Sequence, residues 1–282
     1  MTSAVHAFDG KVLIFAPHMD DEVLACGGLI ATLPDPGRVH VVYATDGTRS
    51  PAPLLPGDEV TVDLRNVRMN ESITAMNLLG VPRANLRFLD LPEAGLPRVT
   101  PALQRLLREC LDEIHPDHVC APFRYDRHPD HLAVNRAATQ AYLDGAFSGT
   151  LSEYFVYHRW RLLPRGNIRR YVRPECLVSI DIGPVAKRKR AALACFKSQT
   201  THYFDWQTGP ILRPELLDDE CRGPELFLRY DRAWPGTTIF AGAVPWIRIA
   251  HRLEPRLQKW KNQLKEAVLR TADRMRDSSR RR

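Results

Sequence analysis

Two short stretches carry residue types that do chemistry together. PHMDDE places His18, Asp20, Asp21 and Glu22 within five residues, and RYDRHPDH places Asp126, His128, Asp130 and His131 within six. Each alone reads as helix punctuation, because an aspartate at a cap and acids in a first turn complement free backbone N–H groups and the helix dipole. Together they offer more. Imidazole and carboxylate are ligands that zinc takes in hydrolytic sites, where three protein groups leave one position for water. His18, Asp21 and His131 can supply the three, leaving Asp20 and His128 beside the ion. Water on such an ion has its pKa lowered to ~7, and a neighbouring carboxylate can take its proton as it attacks a carbonyl. The chemistry is hydrolysis of an amide or ester. The same N/O donors accept other divalent ions, so zinc is the first choice without being the only one.

For clusters a hundred residues apart to meet, the chain between them must fold back. KVLIFA (11–16), ended by Pro17, reads as a buried strand; Glu22 to Leu33 has helical spacing; Arg38 to Thr45 is a second strand, stopped by Asp46 and Gly47. The pattern repeats with a helix from about Val60 to Leu79, a strand at Asn85–Leu89, and a helix at Thr100–Ile114 with Thr100 as its N-cap. A strand at His118–Ala121 and a helix at His131–Leu143 follow. This alternation predicts an α/β fold, a Rossmann-like doubly wound, mainly parallel sheet with helices on both faces. In that order the first and fourth strands are neighbours at the topological switch point, so both clusters face one crevice. Beyond Ser152, Glu153–His158 and Tyr171–Ile182 read as strands, Val185–Phe196 as a basic-faced helix, and Gln199–Glu225 as loop.

The net charge of +7 has a location: residues 251–282 hold eleven basic and four acidic residues, and residues 1–250 balance at 29 of each. The chain divides into a catalytic body, 1–250, and a basic amphipathic tail, 251–282, in which Leu253, Leu257, Trp260, Leu264, Val268 and Met275 form a helical stripe. A terminal helix starting at Pro255 and docked on the body is the leading expectation; contact with a membrane or other anionic surface, an anionic ligand, and self-association into a homo-oligomer are the alternatives. A neutral body speaks against nucleic acid as a partner. No apolar run reaches the ~20 residues of a membrane span, no secretion signal is visible at the start, and six cysteines without a CxxC pair read as reduced thiols, which predicts a cytoplasmic protein. Gly27 and Gly28 lack a GxGxxG pattern and predict close helix packing instead. Asp46 either binds substrate or makes a turn with Gly47; residues 49–57 have the length of a lid; Tyr203, Phe204 and Trp206 stack on a sugar or form a local core.

PHMDDEVLACGG, the ATDG at Ala44–Gly47, the RMNE of Arg68–Glu71 with the LLGV that follows, FLDLPEAGL from Phe88, HPDH at His128–His131 and KSQT at Lys197–Thr200 run in order from Lys11 to Thr200. In these motifs the chain resembles the PIG-L/LmbE-like family of zinc-dependent N-deacetylases. The resemblance implies that His18, Asp21 and His131 bind zinc and that Asp20 is the general base. It implies that His128 protonates the leaving amine or steadies the oxyanion, that Asp130 orients a neighbouring histidine, and that Arg68 helps to hold a sugar. Met19 departs from the proline common in the family. The activity implied is removal of an acetyl or other acyl group from the amine of an N-acetylglucosamine-type sugar or glycoconjugate. The alternatives are cleavage of a larger amide conjugate, and a non-catalytic glycan- or anion-binding module.

Overall fold

Strand β1 (Val12–Ala16) is buried along its whole length, as expected of apolar residues covered on both faces. The computed structural model describes residues 7–53, 59–156, 162–164, 166–230, 239, 241–250, 252, 253, 256, 257 and 260. Around β1 assemble β2 (Val39–Thr45), β3 (Leu86–Leu91), β4 (His118–Pro122), β5 (Thr150–Tyr154), β6 (Leu177–Ile180) and β7 (Glu225–Arg229) in one sheet of order β3-β2-β1-β4-β5-β7-β6. The first five are parallel; β7 runs antiparallel to both β5 and β6. β1 and β4 are neighbours, so the chain reverses direction of winding between them and opens a crevice at their carboxyl ends.

Helices α1 (Asp21–Thr32), α2 (Leu64–Leu78), α3 (Thr100–Ile114) and α4 (Pro129–Leu143) follow β1 to β4, and α5 (Ala186–Leu193), α6 (Lys197–Thr200) and α7 (Pro214–Glu220) lie in the later part. One apolar cluster joins the inner faces of α1 and α5 to one side of the sheet, and a second joins α3 and α4 to the other. α1 packs so closely that a Cβ on Gly28 would lie 2.2 Å from Ile182 Cγ2, which bears out the packing role expected of this glycine.

The structure corrects the sequence reading in several places. Thr100 is the first residue of α3 and Val99 is its N-cap, because a 3-10 turn at Leu96–Arg98 runs directly into the helix. α2 begins at Leu64, where Asp63 caps it by accepting the N–H of Asn66. The strand expected at Tyr171–Ile182 shrinks to β6, since Ile168–Tyr171 and Pro174–Cys176 form 3-10 turns. β5 ends at Tyr154, and residues 157 and 158 of the strand expected there lie outside the described residues. The stretch expected to be loop contains α7 and leads into β7. Helical residues occupy 244–250 and recur at 252, 253, 256, 257 and 260, so this helix starts well before Pro255. Leu253, Leu257 and Trp260 face away from the body at 42, 44 and 59% exposure and are not docked on it. Leu264, Val268 and Met275 lie outside the described residues.

Candidate active site

The end of β1 delivers Pro17 and His18 to the crevice, and Thr45 at the end of β2 ties that end down, its N–H and hydroxyl both donating to the Pro17 carbonyl at 3.1 and 2.8 Å. The chain then turns into α1 through Asp20, whose φ of 153° is in a region an L residue rarely occupies. Glu22 holds that conformation: its Oε2 accepts the Asp20 N–H at 2.9 Å, and its other oxygen takes the Tyr43 hydroxyl at 3.0 Å. Burial pushes the Glu22 carboxyl up to about 8. The opposing contribution comes from the start of α4, where His128 is the N-cap and accepts the Asp130 N–H on Nδ1.

Three donor atoms converge where these two helix starts meet. His18 Nδ1 lies 3.2 Å from Asp21 Oδ2 and 3.2 Å from His131 Nε2, and Asp21 Oδ2 lies 3.2 Å from His131 Nε2. Bonds of ~2.0–2.1 Å to a tetrahedral zinc put neighbouring ligand atoms roughly 3.3 Å apart, so this triangle fits the ion. Nitrogens of His18, His128 and His131 also fall within 4.8 Å of one another, but the shorter triangle through Asp21 has the spacing of a first coordination sphere. Both imidazoles are gripped from behind, His18 Nε2 by Asp130 Oδ2 at 3.2 Å and His131 Nδ1 by Asp126 Oδ2 at 3.1 Å. Such carboxylates fix the ring angle and the tautomer that leaves the other nitrogen free for a metal. Asp130 is itself held by the N–H groups of Ala94 and Leu96 at 2.7 and 3.0 Å.

The electrostatics of the cluster call for positive charge. Burial works to lower the His18 pKa, but the hydrogen bonds it donates to Asp130 and Asp21 outweigh it and raise it to about 9. His131 is likewise raised against its burial by Asp126 and Asp21, and Asp21 is held far below the usual carboxylate range, its burial overcome by the two histidines. Burial drives Asp20 up to about 7 against the pull of Arg68, which places a proton acceptor near neutrality. His128 is pushed down to about 4 by burial and by the two neighbouring imidazoles, so its ring is neutral.

A cavity of about 220 Å³ opens on this cluster, lined by His18, Asp20, Asp21, Arg68, Glu93 and His128 among others. Arg68 is 1% exposed, and its guanidinium is spent on the site's own groups: Glu93 at 3.1 Å, the Met19 carbonyl at 3.0 Å and Asp20 at 3.6 Å. Met19 is accommodated because its side chain lies over Gly47, where a Cβ would come within 2.4 Å of Met19 Cε. Asp46 is not in the cavity wall; its Oδ1 accepts the N–H and hydroxyl of Thr48 and the N–H of Glu93, which makes it the turn residue of the two readings. Arg49 and Ser50 line the cavity, whereas residues 54–58 of the lid-length loop lie outside the described residues. Phe204 and Trp206 stack on each other at 5.0 Å, a small local core.

Glu93, Asp126 and Gln199 have no role in the sequence reading. Gln199 lines the cavity and clasps Ser50 through its carbonyl and hydroxyl at 2.9 and 3.0 Å. The acidic partner of a buried arginine and the second carboxylate of a histidine pair have no motif of their own. Each does stand inside a quoted stretch, Glu93 in FLDLPEAGL, Asp126 in RYDRHPDH and Gln199 in KSQT, but position there does not assign its part.

Comparison with known proteins adds to the geometry. The family model described as PIG-L, GlcNAc-PI de-N-acetylase, matches residues 13–142. The 2'-N-acetylparomamine deacetylase of Streptomyces fradiae is 28% identical over 260 residues, covering 83% of this chain and 84% of that protein. Among solved structures, the N,N'-diacetylchitobiose deacetylase of Pyrococcus horikoshii superposes with a TM-score of 0.59 at 23% identity, over 82% of this chain and 88% of its own. A zinc-inhibited form of a teicoplanin deacetylase superposes with a TM-score of 0.56 at 20% identity, over 78% and 97%. These two structural likenesses bear on the fold.

Proposed function

We propose that this chain is a deacetylase of the PIG-L/LmbE-like kind, a hydrolytic enzyme acting on N-acetyl amide bonds, and that it removes the acetyl group from an N-acetylated amino sugar within a larger glycoconjugate. The observation that carries the reading is the triangle of His18 Nδ1, Asp21 Oδ2 and His131 Nε2 with 3.2 Å sides, beside a buried carboxylate and a neutral imidazole. His18, Asp21 and His131 would hold a divalent ion, zinc first among the candidates, which would supply Lewis acidity and a water of lowered pKa. The rest is done by the chain. Asp20, strained into place by Glu22 and flanked by Arg68, takes the proton of the attacking water. His128 faces the same cavity, so its neutral ring donates a hydrogen bond that steadies the charge developing on the amide oxygen, and the proton that Asp20 took from the water passes to the departing amine. Asp130 and Asp126 keep the two imidazoles turned toward Asp21 and each other. Arg68 is assigned to holding Asp20, with substrate contact limited to the guanidinium edge that reaches the cavity wall.

A second cavity supports a substrate longer than one sugar. Ile211 lines both the catalytic cavity and a groove of about 430 Å³ walled by Pro51, Trp206, Arg213 and Glu215. The acetamido sugar fills the first and the remainder of the conjugate lies in the second. A relative named for 2'-N-acetylparomamine supports an amino-sugar substrate over the larger amides. A silent binding module has no use for a strained base and a neutral imidazole beside a metal triangle. All six cysteines are free, which supports a reducing compartment and hence the cytoplasm. No helix among the described residues is long and apolar enough to cross a membrane.

The test is free-amine release from N-acetylated mono- and disaccharides by chelator-treated protein with and without added zinc. Metal-restored turnover of the disaccharides, lost in Asp20→Asn, is the expected result. One metal bound per chain with no amine released from any member of the panel would overturn the substrate assignment.

A further inference from the structure

The last described helix presents three different faces. Ala243, Ile247 and Ala250 are buried against the body, beside Leu163, Ile168, Val172 and Leu228. Trp246, Ile249, Leu253, Leu257 and Trp260 recur at steps of three and four residues and are exposed at 55, 49, 42, 44 and 59%. Arg248, Arg252 and Arg256 recur every fourth residue on the remaining sector, all exposed. At 100° per residue the apolar stripe lies between the buried face and the basic one, with tryptophan at both of its ends.

The basic face continues onto the body. Arg248 and Arg252 meet Arg124 and Arg136 around a cavity of about 140 Å³, whose other walls are Tyr125 and Leu132. Glu153 grips Arg124 from beneath at 2.9 Å, and Arg136, Arg248 and Arg252 make no ion pair among the described residues. Arg124 is already paired, and the three exposed guanidinium groups of Arg136, Arg248 and Arg252 have no carboxylate in the wall to compete with an incoming anion. Arg124 and Tyr125 sit on the loop that also carries Asp126 and His128, so whatever binds here lies next to the catalytic crevice.

We propose that this helix and the four-arginine cavity form a docking surface for a bilayer containing anionic phospholipid, with the apolar stripe in the interface and a lipid phosphate among the arginines. An exposed aliphatic and tryptophan stripe flanked by arginine is the composition of a helix that lies in the plane of a membrane. Charge complementarity selects the occupant. A second copy seated on the same stripe would bring two arginine rows together, and a nucleic acid would meet the arginines while leaving Ile249, Leu253 and Leu257 uncovered. The excess of basic residues in 251–282 adds to the attraction.

The full chain is sedimented with vesicles of neutral phosphatidylcholine and with vesicles in which about a quarter of that lipid is replaced by phosphatidylglycerol, at physiological salt. The expected result is binding at least tenfold stronger to the anionic vesicles, weakened about fivefold for each of Arg248→Gln and Arg252→Gln. Trp246→Ala is expected to weaken it as well, whereas Arg105→Gln, an exposed arginine on α3, leaves it unchanged. Each variant is checked for native circular dichroism and wild-type amide hydrolysis. A blue shift of tryptophan fluorescence on anionic vesicles reads the same docking without mutation. Equal binding to both vesicles, or none, would overturn the proposal. Loss of vesicle binding in millimolar inorganic phosphate would reduce the site to one for a free phosphate. A concentration-dependent dimer dissolved by Ile249→Glu, with no vesicle binding, would assign the stripe to a second copy.

Discussion

Helix α1 touches two buried charged clusters built on opposite plans. Halfway along it, Lys189 donates to the Leu24 carbonyl and to Glu225, both at 2.7 Å, and Glu225 in turn accepts the N–H groups of Gly28 and Leu29 at 2.7 and 2.6 Å. The charges meet each other and the helix backbone, and the cluster is closed. At the N-terminus of the same helix, His18, Asp21 and His131 bring three ligand atoms within 3.2 Å of one another, with Asp130 and Asp126 behind the two rings and Glu22 and Arg68 on the neighbouring Asp20. Burial of charge is common to both, so burial does not mark the working site. Three ligand atoms converging on the edge of a cavity, with a carboxylate behind each ring, do.

The largest contrast is expected from Asp20→Asn. The amide keeps the volume and the backbone contacts but cannot take a proton, so kcat/KM should fall by about 10²–10⁴-fold while thermal stability and bound metal stay at wild-type levels. The closed cluster should respond the other way. Lys189→Met strands Glu225 in the interior and is expected to cost about 3–5 kcal/mol in urea unfolding, with the metal content of the folded protein unchanged. If Asp20→Asn unfolded the protein and Lys189→Met silenced a stable one, the division between the two clusters would be wrong.

Metal removal sharpens the same division. Stripping the ion with a chelator should lower the unfolding midpoint, and zinc at a hundred times its dissociation constant should restore about 2.7 kcal/mol. The increment should disappear in His131→Ala and persist in a Lys189 variant that still folds. A smaller effect is expected from Asp126→Asn, which leaves His131 in place but loosens its ring: about 10–100-fold in metal affinity, read by competition with a chromophoric chelator.

What the sequence reveals follows the same logic of local against distant causes. β1, α1, β2 and the helix over Thr100–Ile114 are legible because apolar runs and Pro or Gly punctuation are local signals, and the pairing of β1 with β4 follows from the order of elements alone. The triangle of His18, Asp21 and His131 is legible because its members sit in two compact motifs at helix starts. Glu93 and Asp126 are not, because a carboxylate that serves an arginine or a histidine is recognised only by its neighbour in space. β7 escapes notice as five residues with charged ends, and its antiparallel direction is set by tertiary packing. The tail misleads for a definable reason. Starting its helix at Pro255 excludes Ile247 and Ala250, the residues that dock, and leaves Leu253, Leu257 and Trp260 to look like a buried stripe.

The smallest effect belongs to Glu22, whose place between the two plans is instructive. It is fully buried and contacts no substrate space, yet its two oxygens join the strained Asp20 backbone to Tyr43 on β2. Glu22→Gln preserves that bridge: the amide oxygen accepts the Asp20 N–H and the amide nitrogen donates to the Tyr43 hydroxyl, so stability should change by less than about 1 kcal/mol and kcat by no more than a few-fold. Glu22→Ala removes the acceptor and releases a residue held at a φ of 153°. Asp20 then relaxes toward ordinary backbone, its carboxylate moves off the attacking water, and kcat should fall by about tenfold or more with KM little changed. Equal activity in the alanine and glutamine variants would show that the turn holds itself and that Glu22 belongs with the closed, structural kind of buried charge.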